Sequence, residues 1–330
     1  MVENNDVLLT IKDLVVEYTS DKQIIHAVNG VSLEIKKGRT LGLAGETGAG
    51  KTTIAKSIMR LLPDPPAKIK GGEIYFEGKN VLEMGDDELK RLRGGKISMI
   101  FQDPMTALNP VMRVGDQISE VIGLHSKVDS KEAEKRARDM LEMVGIPGDR
   151  FREYPHQFSG GMKQRVVIAI ALACNPTLLL ADEPTTALDV TIQAQIMELI
   201  NGLKVKQNTS MCLITHDLGV IAESCDDVAI IYAGQIVEYG SLEEVFVEAR
   251  HPYTLGLFGA LPNMISRNER LRPVPGQPAD PSDLPKGCAF HPRCIYATEK
   301  CRHTCPENVS LGGTHTCRCH NISAVKGRGR

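Results

Sequence analysis

The run GETGAGKTT, from Gly45 to Thr53, constrains this chain more than any other feature. It follows TLGLAG, a short apolar run of the kind found in buried strands. It leads into a helical pattern from Gly50 to Leu62 that Pro63, Pro65 and Pro66 stop. A glycine-spaced turn between strand and helix lets backbone N–H groups wrap an anion. Glycines tolerate the left-handed backbone the wrap needs, and the helix start adds partial positive charge. In this reading Lys51 reaches the outer phosphates of a nucleotide and the Thr52 hydroxyl ligates Mg²⁺. Gly45, Glu46, Thr47, Gly48, Ala49, Gly50 and Thr53 complete the predicted cradle.

A second run, LLLADEP from Leu178 to Pro184, reads as a buried strand ending in two carboxylates. The C-terminal edge of a parallel strand is where ligands bind in open sheets. Asp182 is expected to complete the Mg²⁺ shell, directly or through water, and Glu183 to polarise an attacking water. Phosphoryl transfer asks for little more than a positioned carboxylate, a cation and a metal.

Between and around these runs, patterning alternates strand and helix. LLTIKDLVVEY and IIHAVNGVSLEI alternate apolar and polar residues. GGEIYFEGKNV is hairpin-like, and KISMIFQ is a strand. From about Pro104 the pattern turns helical. Ala133, Ala137, Met140, Leu141 and Val144 share one face, with Ser130 as expected N-cap and Gly145 as expected stop. Helices are expected over Gly160–Cys174 and Val190–Val205, a strand over MCLITHD and a hairpin over VAIIYAGQIVEYG. Ser241 with Glu244 reads as a capping box. The alternation implies a mostly parallel sheet covered by helices. RPVPGQPADPSDLP then reads as a proline-rich connector.

A third run decides the family. Ser159-Gly160-Gly161-Met162, in YPHQFSGGMKQR, resembles the signature sequence of ATP-binding cassette (ABC) transporter ATPases, normally Ser-Gly-Gly-Gln. The resemblance covers about residues 7–260. It implies an α/β P-loop NTPase (RecA-like) ABC nucleotide-binding domain, with an antiparallel β subdomain and a helical subdomain at about 104–175. In this family two subunits pair head to tail. Ser159, Gly160 and Gly161 of one are then expected to face the γ-phosphate held by the other. By the same resemblance Gln102 senses Mg²⁺ and the γ-phosphate, His216 contacts the γ-phosphate and Asp189 links the two sites. Tyr18 stacks on adenine. Met162 departs from the pattern.

The stretches FQDPMTALNPVMRVGDQI, HPYTLGLFGALP and GCAFHPRC are similar to the D-type ATPase subunit of bacterial dipeptide and oligopeptide permeases. That resemblance spans nearly the whole chain. It implies ATP and Mg²⁺ as ligands. The implied partners are a second ABC ATPase (a paralogue or a second copy), two transmembrane permease subunits and, indirectly, an external peptide-binding protein. It implies work at the cytoplasmic face of the membrane. Nickel and other small-solute importers share the architecture. Non-transport ABC ATPases carry two cassettes or a long coiled coil, and no sustained heptads separate Lys51 from Asp182.

Residues 261–330 are expected to form a C-terminal extension of the peptide-permease type with a small cysteine-rich metal site. Six of the nine cysteines lie between Cys288 and Cys319. A reducing compartment favours metal over disulfides there. The spacing lacks the paired knuckles of structural zinc, and thiolate ligation suits zinc or an iron–sulfur cluster. Resemblance to the peptide-permease branch implies a [4Fe–4S] cluster on Cys288, Cys294, Cys301 and Cys319, leaving Cys305 and Cys317 over. His291, His303 and His315 keep mixed-ligand zinc open. Cys174, Cys212 and Cys225 read as small core side chains. The net charge of -2 gives no reason to expect a nucleic-acid partner. The N-terminal residues show no signal-peptide pattern, and no apolar run reaches membrane-spanning length.

Overall fold

The computed structural model describes residues 6–20, 23–186, 188–260 and 274–325. The chain divides into two compact units, one of residues 1–35, 40–82 and 215–330, the other of 36–39 and 83–214. The basic tail at 326–330 and the start of the proline-rich connector lie outside the described residues.

In the first unit, β1 (Val7–Ser20), β2 (Gln23–Lys36), β4 (Ala67–Phe76) and β5 (Lys79–Asn80) form a sheet in the order β2-β1-β4-β5. β1 and β4 pair antiparallel, as do β4 and β5. Alternation in β1 buries Leu9, Ile11, Leu14 and Val16, and a register shift around Lys12–Val16 lets the apolar side chains stay inward. The same unit holds β3 (Thr40–Ala44), parallel to β9 (Asp227–Tyr232). β9 continues antiparallel into β10 (Gln235–Ser241), then β12 (His315–Cys317) and β11 (Val309–Gly312). Every residue of β3 and β9 is buried, which explains their unbroken apolar runs.

Helix α1 (Lys51–Ile58) stops short of the expected Leu62. Arg60 turns left-handed (φ 49°), its N–H bonding Ser57 O while the Leu61 N–H bonds Lys56 O at 2.8 Å. A Schellman closure therefore ends the helix before the prolines are reached. Shorter helices α8 (Leu218–Ser224), α9 (Leu242–Val247), α10 (Pro252–Gly259) and α11 (Glu299–His303) complete the unit. The Ser241–Glu244 capping box starts α9 as expected.

In the second unit β6 (Ile97–Ile100), β7 (Leu178–Asp182) and β8 (Ser210–Thr215) run parallel. With them are α2 (Asp86–Leu92), α3 (Pro104–Ala107), α4 (Val114–His125), α5 (Ser130–Met143), α6 (Gly160–Leu172) and α7 (Val190–Gln207). α5 buries Ala133, Ala137, Met140 and Leu141. Its N-cap is Asp129 rather than Ser130: the Asp129 carboxylate accepts the Glu132 N–H at 2.9 Å, and a carboxylate at a helix start also meets the dipole. Gly145 (φ 77°) ends α5 as expected, with the Ile146 N–H on Leu141 O. Among the described residues no helix is long and apolar enough to cross a membrane.

The C-terminal segment shares a sheet with the rest of the first unit. Its hairpin β11–β12 extends the sheet, with Cys317 opposite Glu238 of β10. The Glu238 side chain is fully buried and accepts from the Arg250 and His251 backbone N–H groups (2.6 and 3.1 Å) and the His315 ring (2.9 Å). His251 in turn caps α10 through Nδ1, and burial lowers its pKa to about 4, so the ring stays a neutral acceptor. Replacing Glu238 by Ala strands these donors, which costs about 2–4 kcal/mol. The expected readout is a lower thermal midpoint with earlier proteolysis around residues 309–317. An unchanged midpoint would show the network to be dispensable.

Candidate functional site

The first unit carries the glycine loop. β3 delivers the chain at Ala44 between two other backbones. A Cβ on Gly45 would sit 2.3 Å from Ile231 O, and one on Gly50 (φ 102°) 2.3 Å from Ala27 O. These glycines are therefore required by crowding as well as by backbone angle. Thr47 and Gly48 face solvent, whereas Ala49 is buried. Lys51 is only 6% exposed, and its ammonium donates to Gly45 O (2.7 Å) and Glu46 O (3.0 Å). The cation is thus anchored on the loop it serves. Gly50 caps α1 without a side chain, and the first turn has no acidic residue. The positive helix end is left for an outside anion.

Glu46 is gripped twice. Its N–H donates to Tyr253 Oη at 2.9 Å, and its carboxylate pairs with both terminal nitrogens of Arg293. Neither Tyr253 nor Arg293 was a sequence-level candidate, since both lie some 200 residues downstream in segments with no nucleotide motif. Tyr18 Oη and Thr53 Oγ1 lie 3.3 Å apart, so the ring is tethered beside the helix start. His216 is exposed just past β8, next to Asp217, whose carboxylate caps α8.

The second unit carries the acidic strand end. Asp182 is 2% exposed at the tip of β7, and the thiol of buried Cys212 is pushed up to about 12 by burial and by that carboxylate. Glu183 adopts a left-handed backbone (φ 46°), held by its N–H on Ile214 O. A glutamate in this region carries strain that the surroundings must impose. Its Oε2 accepts from Gln102 Nε2 (3.0 Å) and Thr186 Oγ1 (2.8 Å). Gln102 and Glu183, assigned separately from sequence, are therefore direct partners. The turn beyond is fixed by Gln164 Nε2 on Pro184 O (2.6 Å) and Gln193 Nε2 on Thr185 O (3.2 Å). Gln164 belongs to α6, so the helix that begins after Ser159 holds the turn beyond Glu183 directly.

At the start of α6, Ser159 and Gly160 are exposed, and Ser159 Oγ accepts the Met162 N–H at 3.4 Å. Gly161 leaves no spare room: a Cβ there would meet Ile192 at 3.0 Å. Asp189 is exposed and caps α7 by accepting the Ile192 N–H at 3.0 Å.

In the C-terminal segment, Cys288, Cys294, Cys301 and Cys319 lie within electrostatic reach of one another, each half-buried or buried. Burial raises the Cys288 and Cys294 thiols to about 12 and about 11, with the neighbouring cysteines adding to it. Asn321 donates to the sulfurs of Cys319 (3.3 Å) and Cys301 (3.5 Å). Cys317 is buried beside Glu238 and Cys305 is exposed near Gln235. The rings of His291, His303 and His315 contact Cys288 O, Glu299 and Glu238 respectively. Among the described residues no group of three or more His, Cys, Asp or Glu is disposed to hold a metal ion. The C-terminal segment therefore has four thiols gathered but no metal-ready geometry among its described residues.

A glycine loop between a buried parallel strand and a helix, with an acidic pair closing a second buried strand, defines a P-loop NTPase. Residues 28–186 match the family model described as "ABC transporter", and residues 237–301 match "Oligopeptide/dipeptide transporter, C-terminal region", so the chain belongs to the ABC transporter ATPase family, in its oligopeptide/dipeptide branch. It is 50% identical to the oligopeptide transport ATP-binding protein OppD of Bacillus subtilis, over 93% of this chain and 87% of that protein. It is 46% identical to the dipeptide transport ATP-binding protein DppD of the same organism, over 94% of both chains. Among solved structures it is similar to the ATP-binding cassette MJ0796, a dimer in a post-hydrolysis state bound to ADP and Pi. That match has a TM-score of 0.64 and 30% identity, covering 71% of this chain and 99% of that one. The chain is an ATPase.

The Glu183 contacts predict a selective defect. Glu183→Gln keeps an acceptor for Gln102 or Thr186 but loses the negative charge, which the expectation that Glu183 polarises the attacking water makes essential. Turnover is expected to fall at least about 100-fold, while the ATP dissociation constant stays within about threefold. Near-normal turnover would remove Glu183 from catalysis.

Proposed function

We propose that this chain is the ATP-hydrolysing subunit of an importer for dipeptides and oligopeptides. The single observation carrying the cargo class is the match of residues 237–301 to the oligopeptide/dipeptide transporter C-terminal model on a chain that is otherwise a cassette ATPase. Its partners are a second ABC ATPase, two transmembrane permease subunits and, through them, an external peptide-binding protein. It works at the cytoplasmic face of the membrane.

Within this reading the cradle of Gly45–Thr53 holds the phosphates, and the helix start and Lys51 meet their charge. The donor set suits a hard cation: the Thr52 hydroxyl, the Asp182 carboxylate and the Gln102 amide are all oxygen ligands. Mg²⁺, which these groups would hold, would supply charge neutralisation at the phosphates. Glu183, oriented by Gln102 and Thr186, polarises the attacking water. His216 contacts the γ-phosphate, and Tyr18 stacks on adenine. Ser159, Gly160 and Gly161 of one ATPase meet the nucleotide held by its partner, and Asp189 links the paired sites. ATP thus closes a pair of subunits, and hydrolysis reopens it.

The test is transport by the whole assembly. The tagged chain should co-purify with two polytopic membrane proteins, and vesicles reconstituted with that complex and its binding protein should take up peptide only with ATP inside. Lys51→Ala should abolish uptake. Uptake of nickel but not peptide would move the cargo to another branch. Absence of any polytopic partner would sink the transport reading.

The cysteine quartet is read as a structural [4Fe–4S] site with Cys288, Cys294, Cys301 and Cys319 as ligands. What supports this is the gathering of these four thiols while Cys305 is exposed near Gln235, Cys317 and His315 lie on Glu238 and His303 on Glu299. Protein purified without oxygen should contain about four iron and four sulfide per chain. Stoichiometric zinc without iron would replace the cluster with a zinc site.

A further inference from the structure

An acidic side chain in a phosphate-binding loop is an electrostatic liability. Glu46 is the second residue of the cradle, and an unscreened carboxylate there repels the triphosphate that the loop is built to hold. Its neutralisation comes from Arg293, in the C-terminal segment. The guanidinium donates to Glu46 Oε2 at 2.7 Å and Oε1 at 3.0 Å, a two-point contact. Its remaining hydrogens are taken by Pro275 O (2.8 Å), Val274 O (3.4 Å) and Tyr232 Oη (3.5 Å). All five donors of the group are therefore used.

This arginine is built in rather than draped over a surface. Its side chain is 4% exposed, against 27% for Glu46, and it lies against the rings of Tyr232 and Phe290. The backbone of Glu46 is held by the same neighbourhood, through the buried hydroxyl of Tyr253, whose ring packs on both Tyr232 and Phe290. Pro278, Ala279 and Pro281 line one cavity with Thr47, Gly48 and Ala49 of the loop, and the His26 N–H donates to Pro281 O at 2.8 Å. The charge of the loop's acidic residue is thus met by Arg293, and residues 278–281 lie beside the loop.

We propose that Arg293 is a positioning residue for nucleotide binding, acting through Glu46, so that the C-terminal segment sets the phosphate loop's affinity for ATP. It rests on the reading of Gly45–Thr53 as the phosphate loop.

The experiment is a charge-cancellation cycle on the full chain, with Mg-ATP binding followed by calorimetry and turnover measured in the transporter complex. Arg293→Met leaves Glu46 charged and loose. The dissociation constant and KM are expected to rise at least tenfold while kcat stays within threefold, a split that general destabilisation would not produce. Arg293→Lys keeps the charge but loses the two-point contact, and should recover part of the affinity. Adding Glu46→Gln to Arg293→Met removes the repulsive charge and should return the dissociation constant to within threefold of wild type. If Arg293→Met alone does not fold, the double variant, which strands no charge, still decides. Affinity in Arg293→Met equal to wild type, or a double variant binding tenfold more weakly than wild type, overturns the proposal. A wild-type chain that binds no nucleotide overturns the phosphate-loop reading instead.

Discussion

The phosphate loop is defined by how little room it has. At Gly45 and again at Gly50 another backbone carbonyl occupies the volume where a side chain would begin. Those carbonyls belong to Ile231, in the strand paired with β3, and to Ala27, in β2. The loop's course therefore depends on two sheets being correctly made before it can close. Lys51 follows from this, because its ammonium is positioned by the carbonyls of the same crowded turn. A buried cation so placed is satisfied in the protein and still presents its charge to an incoming phosphate.

The acidic end of β7 is constrained in a different way. Glu183 sits in left-handed backbone, a conformation that costs a residue with a Cβ of order 1–3 kcal/mol. The strain is borne by the turn's anchors: Gln164 on Pro184 O, Gln193 on Thr185 O and the Glu183 N–H on Ile214 O. The consequence is a carboxylate with a defined direction, already hydrogen-bonded by Gln102 and Thr186. Since α6 begins just after Ser159 and supplies Gln164, a shift of that helix would be felt at the turn beyond Glu183 through one buried amide.

Most of the cassette could be read from the chain because its signals are local. The glycine loop, the apolar run of β7 and the Ser241–Glu244 box each declare themselves within ten residues. Errors at helix ends were also local in origin. Ser130 and Asp129 are both competent caps, and the choice between them turns on one hydrogen bond. Arg60 in left-handed backbone ends α1 without a glycine to announce it. What stayed hidden was everything nonlocal. Arg293 reaches Glu46 across 247 positions, and His315 reaches Glu238 across 77. The separation of the C-terminal segment at residue 261, natural from its proline content, gives no hint that β11–β12 would join the sheet of β9 and β10. Composition marks a boundary in sequence, but hydrogen-bond satisfaction decides whether a segment stands apart in space.

Met162 shows how a departure from a family pattern is accommodated. Where the signature sequence ordinarily ends in glutamine, this chain has a thioether whose sulfur accepts from Arg150 Nη1 at 3.4 Å. Arg150 is itself committed, stacked 4.4 Å above the Phe158 ring and paired with Glu153. An uncommitted glutamine amide would compete for those partners and bring two donors of its own; a thioether brings none and fills the gap with polarizable surface. The elements the signature needs are a hydroxyl, two glycines and a helix start. Ser159, Gly160 and Gly161 are present whatever the fourth residue, and the substitution falls on the side of the motif that packs against its own chain.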